Sequence, residues 1–440
     1  MTATSDVRAI EPSRYQRLRG DPLARTAGAL VLNSGLTSVL GVAYWVVVAR
    51  LYDPTDLANN AALISTMLTI CGICQMNLGL SMGALLPRAG RHSGRLLVDM
   101  YLATIVASLI VVVAFAVVVA PHLDYVDSVL GGAPAFVLFG LAVVSYNFFA
   151  LQDSALSSLG APGVVPLENA AFGMGKIVLV VVLASLSGGA GIFLSWTVPA
   201  GLLVIPVSLY LARRLVPSHT SAPSGPSRLR SALRPVAGDY LGYLLLICST
   251  LALPAIAVSL VGAKRSAAFS VPWMLSSSLD TVASNIGIAL TIEGAKRRTS
   301  ASRLRSSAIT RAVPLVAALA AVLMLLTPIV LRLYGGVYAR DGVGVLRLLL
   351  LAAPLRAIAV LTMGEARAQG RIRFIIGLQA MSSVLVIGGA FLLTDRLGIQ
   401  GIAVAWLIAQ LAAGSISLIA TRRRARLMGR PTGTVHSVPT

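Results

Sequence analysis

Long apolar runs alternate with short polar segments along almost the whole chain. Most runs reach roughly 20 residues, the length at which an α-helix crosses a hydrocarbon core of about 30 Å. The pattern predicts twelve membrane-spanning helices at 26–50, 57–86, 96–120, 134–157, 164–187, 191–212, 236–262, 267–292, 310–333, 343–364, 373–394 and 399–421. The runs lack the strict alternation of barrel strands and are far longer, so an all-α polytopic membrane protein is predicted.

The first predicted helix carries a polar stripe. Asn33, Ser34, Thr37, Ser38 and Gly41 recur at spacings of three and four residues, which places them on one side of the helix. A polar face gains nothing from contact with lipid, so we expect the stripe to face protein or a wet cavity. Asn33 and Thr37 are therefore candidate cavity residues.

The composition agrees with a membrane protein. Hydrophobic residues make up 56% and charged residues 12% of the 440 residues, whereas a soluble domain is about 25% charged. The mean hydropathy is +0.84. The net charge of +20 comes from short basic clusters between the apolar runs, so binding of nucleic acid is not predicted. In the twelve-helix scheme 27 Lys and Arg residues fall in inner segments and 7 in outer ones, which predicts that both termini are cytoplasmic.

The longest break between apolar runs is residues 213–235, a segment rich in Ser, Pro and Arg that we predict to be a flexible linker. It divides the chain into a basic cytoplasmic tail (1–25), an N-terminal six-helix lobe (26–212), the cytoplasmic linker (213–235), a C-terminal six-helix lobe (236–421) and a basic cytoplasmic tail (422–440). An even number of helices in each half predicts parallel repeats around a central cavity, which is a transporter architecture.

Ionisable side chains inside the predicted spans are candidate functional groups, because each is costly in lipid unless it is paired or hydrated. In the N-terminal half, Lys176 lies within the fifth span and Glu168 lies eight residues earlier on the same helix face. Asp153 lies near the inner end of the fourth span. Two interpretations stay open: Lys176 forms a structural ion pair between helices, or it is a cavity cation beside proton-coupling carboxylates.

The C-terminal half offers Asp280 and Arg356. Asp280 lies in the eighth span on a polar face with Ser277, Thr281 and Ser284, which suits either a proton or sodium site or a satisfied packing contact. Arg356 lies in the tenth span. It is either a cavity residue or a structural side chain whose charged end reaches towards the membrane surface.

Nothing in the sequence predicts a metal or another cofactor. Cys71 and Cys74 form a C-x-x-C inside a membrane helix without a second ligand pair, and the four His residues lie in loops or tails. No Gly-x-x-x-x-Gly-Lys phosphate loop is present, so energy must come from an ion gradient, the membrane potential or consumption of the product. The loops are too short for a soluble catalytic domain, and we predict that the protein is not an enzyme.

Three segments resemble the polysaccharide-transporter and O-antigen flippase family of the multidrug/oligosaccharidyl-lipid/polysaccharide exporter superfamily. They are VARLYDPTDLANNAALIS (48–65), NLGLSMGALLPRAG (77–90) and LQDSALSSLGAPG (151–163). The resemblance implies a 6+6 flippase that moves a polyprenyl-pyrophosphate-linked oligosaccharide across the bacterial cytoplasmic membrane. It also implies that cations of helices 1, 2, 7 and 8 meet the pyrophosphate. The basic side chains of this chain that stand on helices 1 and 7 are Arg50, Lys264 and Arg265, at the outer ends.

The implied partners are the lipid-linked glycan, membrane lipids, and glycosyltransferases and a polymerase of the same pathway. The main alternative is a cation-coupled multidrug or metabolite antiporter of the same superfamily. A major-facilitator transporter is a further alternative, although the inner turn 87–95 lacks the Gly-x-x-x-Asp-Arg-x-Gly pattern of that class. A membrane-embedded glycan ligase or polymerase would need a sizeable outer loop, and the longest one here, 121–134, holds only two carboxylates, Asp124 and Asp127.

Overall fold

The computed structural model describes residues 22–131, 133–186, 188–221, 237–296 and 301–428, and the regular elements within these ranges are all helical. Most of the two predicted tails and of the predicted linker lies outside the described residues.

The described part of the N-terminal half contains eight α-helices of seven residues or more. They are α1 (Pro22–Leu51), α2 (Pro54–Gln75), α3 (Leu78–Ala89), α4 (Ser93–Ala114), α5 (Asp124–Leu130), α6 (Ala133–Ser158), α7 (Val164–Ala184) and α8 (Gly191–Tyr210). Two π-helical turns, Phe115–Val119 and Leu211–Leu215, extend α4 and α8. The short α5 fills the longest predicted outer loop.

The C-terminal half contains seven helices. They are α9 (Ala237–Thr250), α10 (Leu253–Val261), α11 (Ala263–Lys296), α12 (Ala301–Tyr334), α13 (Gly336–Ala368), α14 (Ile372–Leu397) and α15 (Ile399–Met428). Among the described residues of the whole chain, nine helices are long and apolar enough to cross a membrane, and the bent pair α9 and α10 makes a tenth. α1 adds a shorter apolar stretch, Gly35–Leu51, and α11 is 34 residues long.

The second predicted span, 57–86, is wrong as a single helix. The helix breaks after Gln75, where Met76 (φ 45°) and Asn77 (φ 58°) both adopt the left-handed conformation. A left-handed residue turns the chain away from the α-helical path, and Asn tolerates this conformation better than most residues because its short side chain bonds locally. The chain therefore continues as the separate helix α3.

The seventh predicted span, 236–262, is also broken, with a bend of 41° between α9 and α10. Pro254 stands in the first turn of α10 and has no N–H to donate to the carbonyl four residues earlier, so the helix cannot run straight through. The break frees the carbonyl of Leu251, which accepts a hydrogen bond from the Ser65 hydroxyl of α2. A side chain of one lobe thus donates the hydrogen bond to a backbone carbonyl that the bend leaves free in the other lobe.

The two lobes pack on each other through α1 and α2 on one side and α9 to α12 on the other. Within the C-terminal lobe α13 is central and contacts α11, α12, α14 and α15. The largest cluster of buried apolar side chains contains residues of both lobes, among them Leu57 and Leu350. Large apolar side chains such as Ile110 and Leu325 are exposed, as expected for surfaces that face lipid.

Polar side chains fix the N-terminal lobe. Asn60 on α2 is fully buried; its Nδ2 donates to the Gly189 carbonyl at 2.6 Å, and its Oδ1 accepts from the Phe193 N–H at 3.0 Å. In the turn between α1 and α2, the Tyr52 hydroxyl donates to the Val180 carbonyl at 3.0 Å. Burial, and then the charge of nearby Asp56, raise the pKa of Tyr52, so this hydroxyl stays protonated as a donor.

Candidate functional site

A cavity of about 600 Å³ lies between the two lobes. Its wall comes from α1, α2, α7 and α8 on one side and from α9 to α13 on the other. The polar stripe of the first helix contributes Thr37, Ser38 and Gly41. Asn33 is half-buried but does not belong to this wall; its carbonyl accepts a hydrogen bond of 2.7 Å from the Thr37 hydroxyl. The side chain of Ser34 lies outside the described part.

Lys176 lines this cavity from the middle of α7 and is 7% exposed. Its Nζ lies 4.8 Å from the ring centroid of Tyr44, 5.1 Å from that of Phe172 and 4.4 Å from that of Trp196. These three rings form an aromatic cage around the ammonium, and such contacts are attractive for a cation. Among the described residues no carboxylate forms an ion pair with Lys176. This holds also for the two carboxylates of the N-terminal lobe that the sequence offered as partners.

The cage can close around Lys176 because two glycines precede it on α7. A Cβ atom placed on Gly173 would lie 2.6 Å from Cδ1 of Leu40, and one on Gly175 would lie 3.3 Å from Cβ of Pro199. Only glycine therefore allows α1 to approach α7 this closely on one side, and α8 packs tightly on the other. The close approach brings rings of α1 and α8 over the ammonium.

Hydrogen bonds hold the ring of Tyr44 in the cage. Its hydroxyl lies 2.8 Å from Ser195 Oγ, and Ser195 in turn donates to the Ile192 carbonyl at 2.7 Å. The ring of Tyr44 meets that of Trp196 edge to face, with centroids 6.3 Å apart. Since both partners lie at the start of α8, these bonds fix α1 against α8 beside the cavity.

Arg356 and Asp280 face each other on the C-terminal side of the same cavity. Nε of Arg356 lies 3.6 Å from Oδ2 of Asp280, and the guanidinium lies 5.3 Å from the ring centroid of Trp406. The side chain of Asp280 is 24% exposed and that of Arg356 is 9% exposed. The side chains of Thr281 and Ser284, which share the predicted polar face, lie outside the described part.

The described wall of the cavity carries more positive than negative charge. Its ionisable side chains are Lys176, Arg356, Asp280 and Tyr334, which at neutral pH amount to two cations and one carboxylate. The family resemblance implied cations from helices 1, 2, 7 and 8, but these two come from α7 and α13, the fifth and tenth predicted spans. The site therefore uses different helices from those that the resemblance implied.

The three other predicted cavity cations do not line this cavity. Arg50 is exposed at the end of α1 and donates from Nε to the Leu333 carbonyl at 2.7 Å and from Nη2 to the Arg332 carbonyl at 3.0 Å. Lys264 and Arg265 are exposed in the first turn of α11. Arg50 thus connects the two lobes at their predicted outer end, while the other two face the surroundings.

Asp153 and Glu168 lie away from the described cavity wall, between helices of the N-terminal lobe. Both oxygens of Asp153 accept from Nδ2 of Asn169, at 3.2 and 3.1 Å. Glu168 is 3% exposed, and its oxygens have no hydrogen-bond partner among the described residues. Their part in ion coupling stays a prediction.

Sequence reasoning missed the tryptophans. The chain has four, and three of them, Trp45, Trp196 and Trp273, line the cavity, while Trp406 lies against Arg356. A usable signal was present, because Trp in membrane proteins is enriched at the two interfaces, whereas these four stand within apolar runs.

The sequence matches no protein-family model and no curated protein. Its structure is similar to the inward-facing conformation of a multidrug resistance MATE family transporter of the MOP superfamily, with a TM-score of 0.69 and 18% identity over 92% of this chain and 100% of that chain. An outward-facing conformation of such a transporter gives a TM-score of 0.62 and 18% identity over 94% of this chain and 98% of that chain.

A third similar structure is a MOP superfamily transporter from Pyrococcus furiosus, described as having a binding pocket of reverse polarity that suggests a different function. It gives a TM-score of 0.60 and 17% identity over 94% of this chain and 98% of that chain. At these identities the likeness establishes the fold. The chain is a multi-pass membrane protein with the fold of MATE transporters of the MOP superfamily.

The predicted fold class, an all-α polytopic chain with two six-helix bundles around a central cavity, is thereby confirmed. The structural neighbours are transporters. They do not confirm the narrower resemblance to the polysaccharide-transporter family, and the side of the membrane that the termini face stays a prediction.

Proposed function

We propose that this protein transports an amphiphilic anion across the membrane by alternating access through the cavity between its lobes. The observation that carries the proposal is the pair of buried cations, Lys176 and Arg356, which line one cavity from opposite lobes against a single carboxylate, Asp280. A buried charge is costly unless an opposite charge or water compensates it. A wall with excess positive charge therefore favours an anionic guest and disfavours a cationic one.

The remainder of the wall suits an amphiphile. Trp45, Trp196 and Trp273 give it large apolar surfaces, and the hydroxyls of Thr37 and Ser38 lie on the α1 side. A volume of about 600 Å³ falls within the range of roughly 300–1,000 Å³ usual for small-molecule sites. The cavity would hold a charged head group with its nearest sugar or apolar segment, while a long lipid chain stays in the membrane.

Within this class we propose a polyprenyl-pyrophosphate-linked oligosaccharide as the substrate. The sequence resemblance around residues 48–65 supports it, and so do the two kinds of cation. Lysine binds phosphate as a point charge, and arginine binds it through two parallel N–H donors. Lys176 and Arg356 could each meet one phosphate group of a pyrophosphate.

A multidrug antiporter is the second candidate, and the names of the structural neighbours favour it over the flippase. The aromatic cage around Lys176 also has the composition that binds organic cations. If the protein were a multidrug antiporter that binds cations in this cage, Lys176 would have to leave the cage or lose its proton, because the cage already holds a cation. The sign of the transported charge thus separates the two candidates.

The test is transport by purified protein in liposomes, with a fluorescent polyprenyl-pyrophosphate disaccharide as the anionic probe and ethidium as the cationic one. We expect transport of the anionic probe. Loss of a charged hydrogen-bond partner costs about 1.5–3 kcal/mol, so Lys176→Gln should slow transport by about tenfold or more. Lys176→Arg keeps the charge and should retain part of the activity.

The matched control is Lys264→Gln, which removes an exposed cation outside the cavity and should transport at the wild-type rate. Wild-type protein that moves ethidium but not the anion would overturn the proposal in favour of the antiporter. Undiminished transport of the anion by well-folded Lys176→Gln would overturn it as well.

A further inference from the structure

The guanidinium of Arg356 has fewer partners than its burial requires. It carries five N–H donors in a planar fork, and the residue is 7% exposed. Its ion pair with Asp280 spans 3.6 Å, beyond the roughly 2.7–2.9 Å of a charge-assisted hydrogen bond. Among the described residues Nε has no hydrogen-bond partner. Because Arg356 lines the cavity, a bound molecule with acceptor oxygens can reach donors that the protein leaves unused.

Asp280 is the more accessible member of the pair, with 24% of its side chain exposed against 9% for Arg356. Both line the cavity, so water in the cavity can deliver a proton to the carboxylate. The helices packed against α11 are α1, α2, α10, α12, α13 and α15. To the described cavity wall they contribute two ionisable side chains, Arg356 of α13 and Tyr334 of α12, and Lys176 faces the cavity from α7.

We infer that Asp280 is the resident counter-ion of Arg356, and that a transported anion replaces it while Asp280 takes up a proton. The inference rests on the proposed function and names its coupling ion. In the exchange, oxygens of the anion take the place of Oδ2 at the guanidinium. One proton, taken from bulk hydronium and passed along water in the cavity, converts the Asp280 carboxylate to the neutral acid; an O–H bond of hydronium breaks as that of the acid forms.

The physical reason is the cost of an uncompensated charge. When an anion occupies Arg356, the carboxylate of Asp280 stands beside a second negative charge and has lost its counter-ion, in surroundings that include Trp273 and Leu275. Protonation removes this cost. Coupling between two bound species is reciprocal, so anion binding favours proton binding and proton binding favours anion binding by the same factor.

Lys176 cannot take the same part, because no described carboxylate pairs with it. Aromatic rings surround its ammonium instead, so its charge attracts the anion without competition from a resident acid. The two lobes therefore differ. The N-terminal lobe supplies a constant cation, Lys176. The C-terminal lobe supplies Arg356, which is freed from its counter-ion when Asp280 takes up a proton. An anion carried outward would leave with a proton, so a proton gradient directed inward would oppose its export.

The test uses purified protein in lipid nanodiscs and isothermal titration calorimetry with decanesulfonate, an amphiphile that stays ionised over the pH range used. Titration in buffers of different ionisation enthalpy gives the number of protons taken up for each anion bound. We expect an uptake that approaches one proton. The affinity should fall as the pH rises, by up to about tenfold per pH unit, which is the limit for one linked proton.

Asp280→Asn should bind decanesulfonate tightly at every pH and take up no proton. The matched control is Asp341→Asn, which removes an exposed carboxylate elsewhere on α13 and should keep the wild-type proton uptake. Anion binding by wild-type protein without proton uptake would overturn the inference and leave the proposed function standing, and this measurement needs no variant. Wild-type protein that does not bind decanesulfonate would instead overturn the proposed function.

Discussion

Replacement of Arg50 by alanine is expected to open the end of the molecule where α1 meets α12. The Arg50 side chain donates two hydrogen bonds to the carbonyls of Arg332 and Leu333. These carbonyls belong to the last turn of α12, where C=O groups lack partners within the helix and a cation is favourable. Arg50 belongs to the N-terminal lobe and α12 to the C-terminal lobe, so the contact holds the lobes together at the predicted outer end.

The size of the effect follows from the two bonds. Each contributes about 0.5–1.5 kcal/mol of net stability, so Arg50→Ala should destabilise the conformation in which this end is closed by about 1–3 kcal/mol. Such a free energy shifts a two-state equilibrium by about 5- to 150-fold. The shift should favour the outward-facing state.

A cysteine at Thr37, which lines the cavity, would report the shift in protein whose three native cysteines are replaced. An impermeant maleimide added outside right-side-out vesicles should label it about fivefold faster or more in Arg50→Ala than in the parent. Arg340→Ala, which removes an exposed arginine of α13, should label at the parental rate. Equal labelling of Arg50→Ala and the parent at equal abundance would refute the reasoning.

Two further predictions concern the bend and the topology. Ser65→Ala leaves the Leu251 carbonyl without its hydroxyl partner and should lower the free energy of unfolding by about 1–3 kcal/mol. Thr69→Ala removes a hydroxyl that bonds only within its own helix, so thermal unfolding in detergent should show a smaller loss, and equal losses would contradict the argument. A cysteine at Asp127 should react with impermeant reagents in intact cells and one at Ser224 should not; labelling at Ser224 would overturn the predicted cytoplasmic linker.

Hydropathy was sufficient to locate the helices, because lipid requires long uninterrupted apolar runs. The run predicted at 134–157, for example, corresponds to α6, Ala133–Ser158. Hydropathy could not locate the break at Met76, because the left-handed backbone conformation of two residues does not change their hydropathy. The break before α10 did carry a local signal, Pro254, which a prediction based on the length of the apolar run overlooked.

The site was predictable only in part. Lys176 stands out in sequence because a lone cation interrupts an apolar run, but its surroundings come from α1 and α8 and depend on how three helices pack. Asp280 and Arg356 were each singled out, yet their pairing joins two helices that are distant in sequence. Local patterns therefore identified single ionisable residues, while their partners depend on tertiary contacts that no single-segment pattern contains.

The placement of the tryptophans gives the protein a built-in optical reporter. Three of the four line the cavity and the fourth, Trp406, contacts Arg356, so every indole in the chain is next to the proposed substrate path. Tryptophan emission, which in most proteins averages over scattered positions, would here come entirely from around this one cavity. Its emission wavelength and its quenching would follow the entry of water and of substrate into that cavity, in unlabelled protein and in real time.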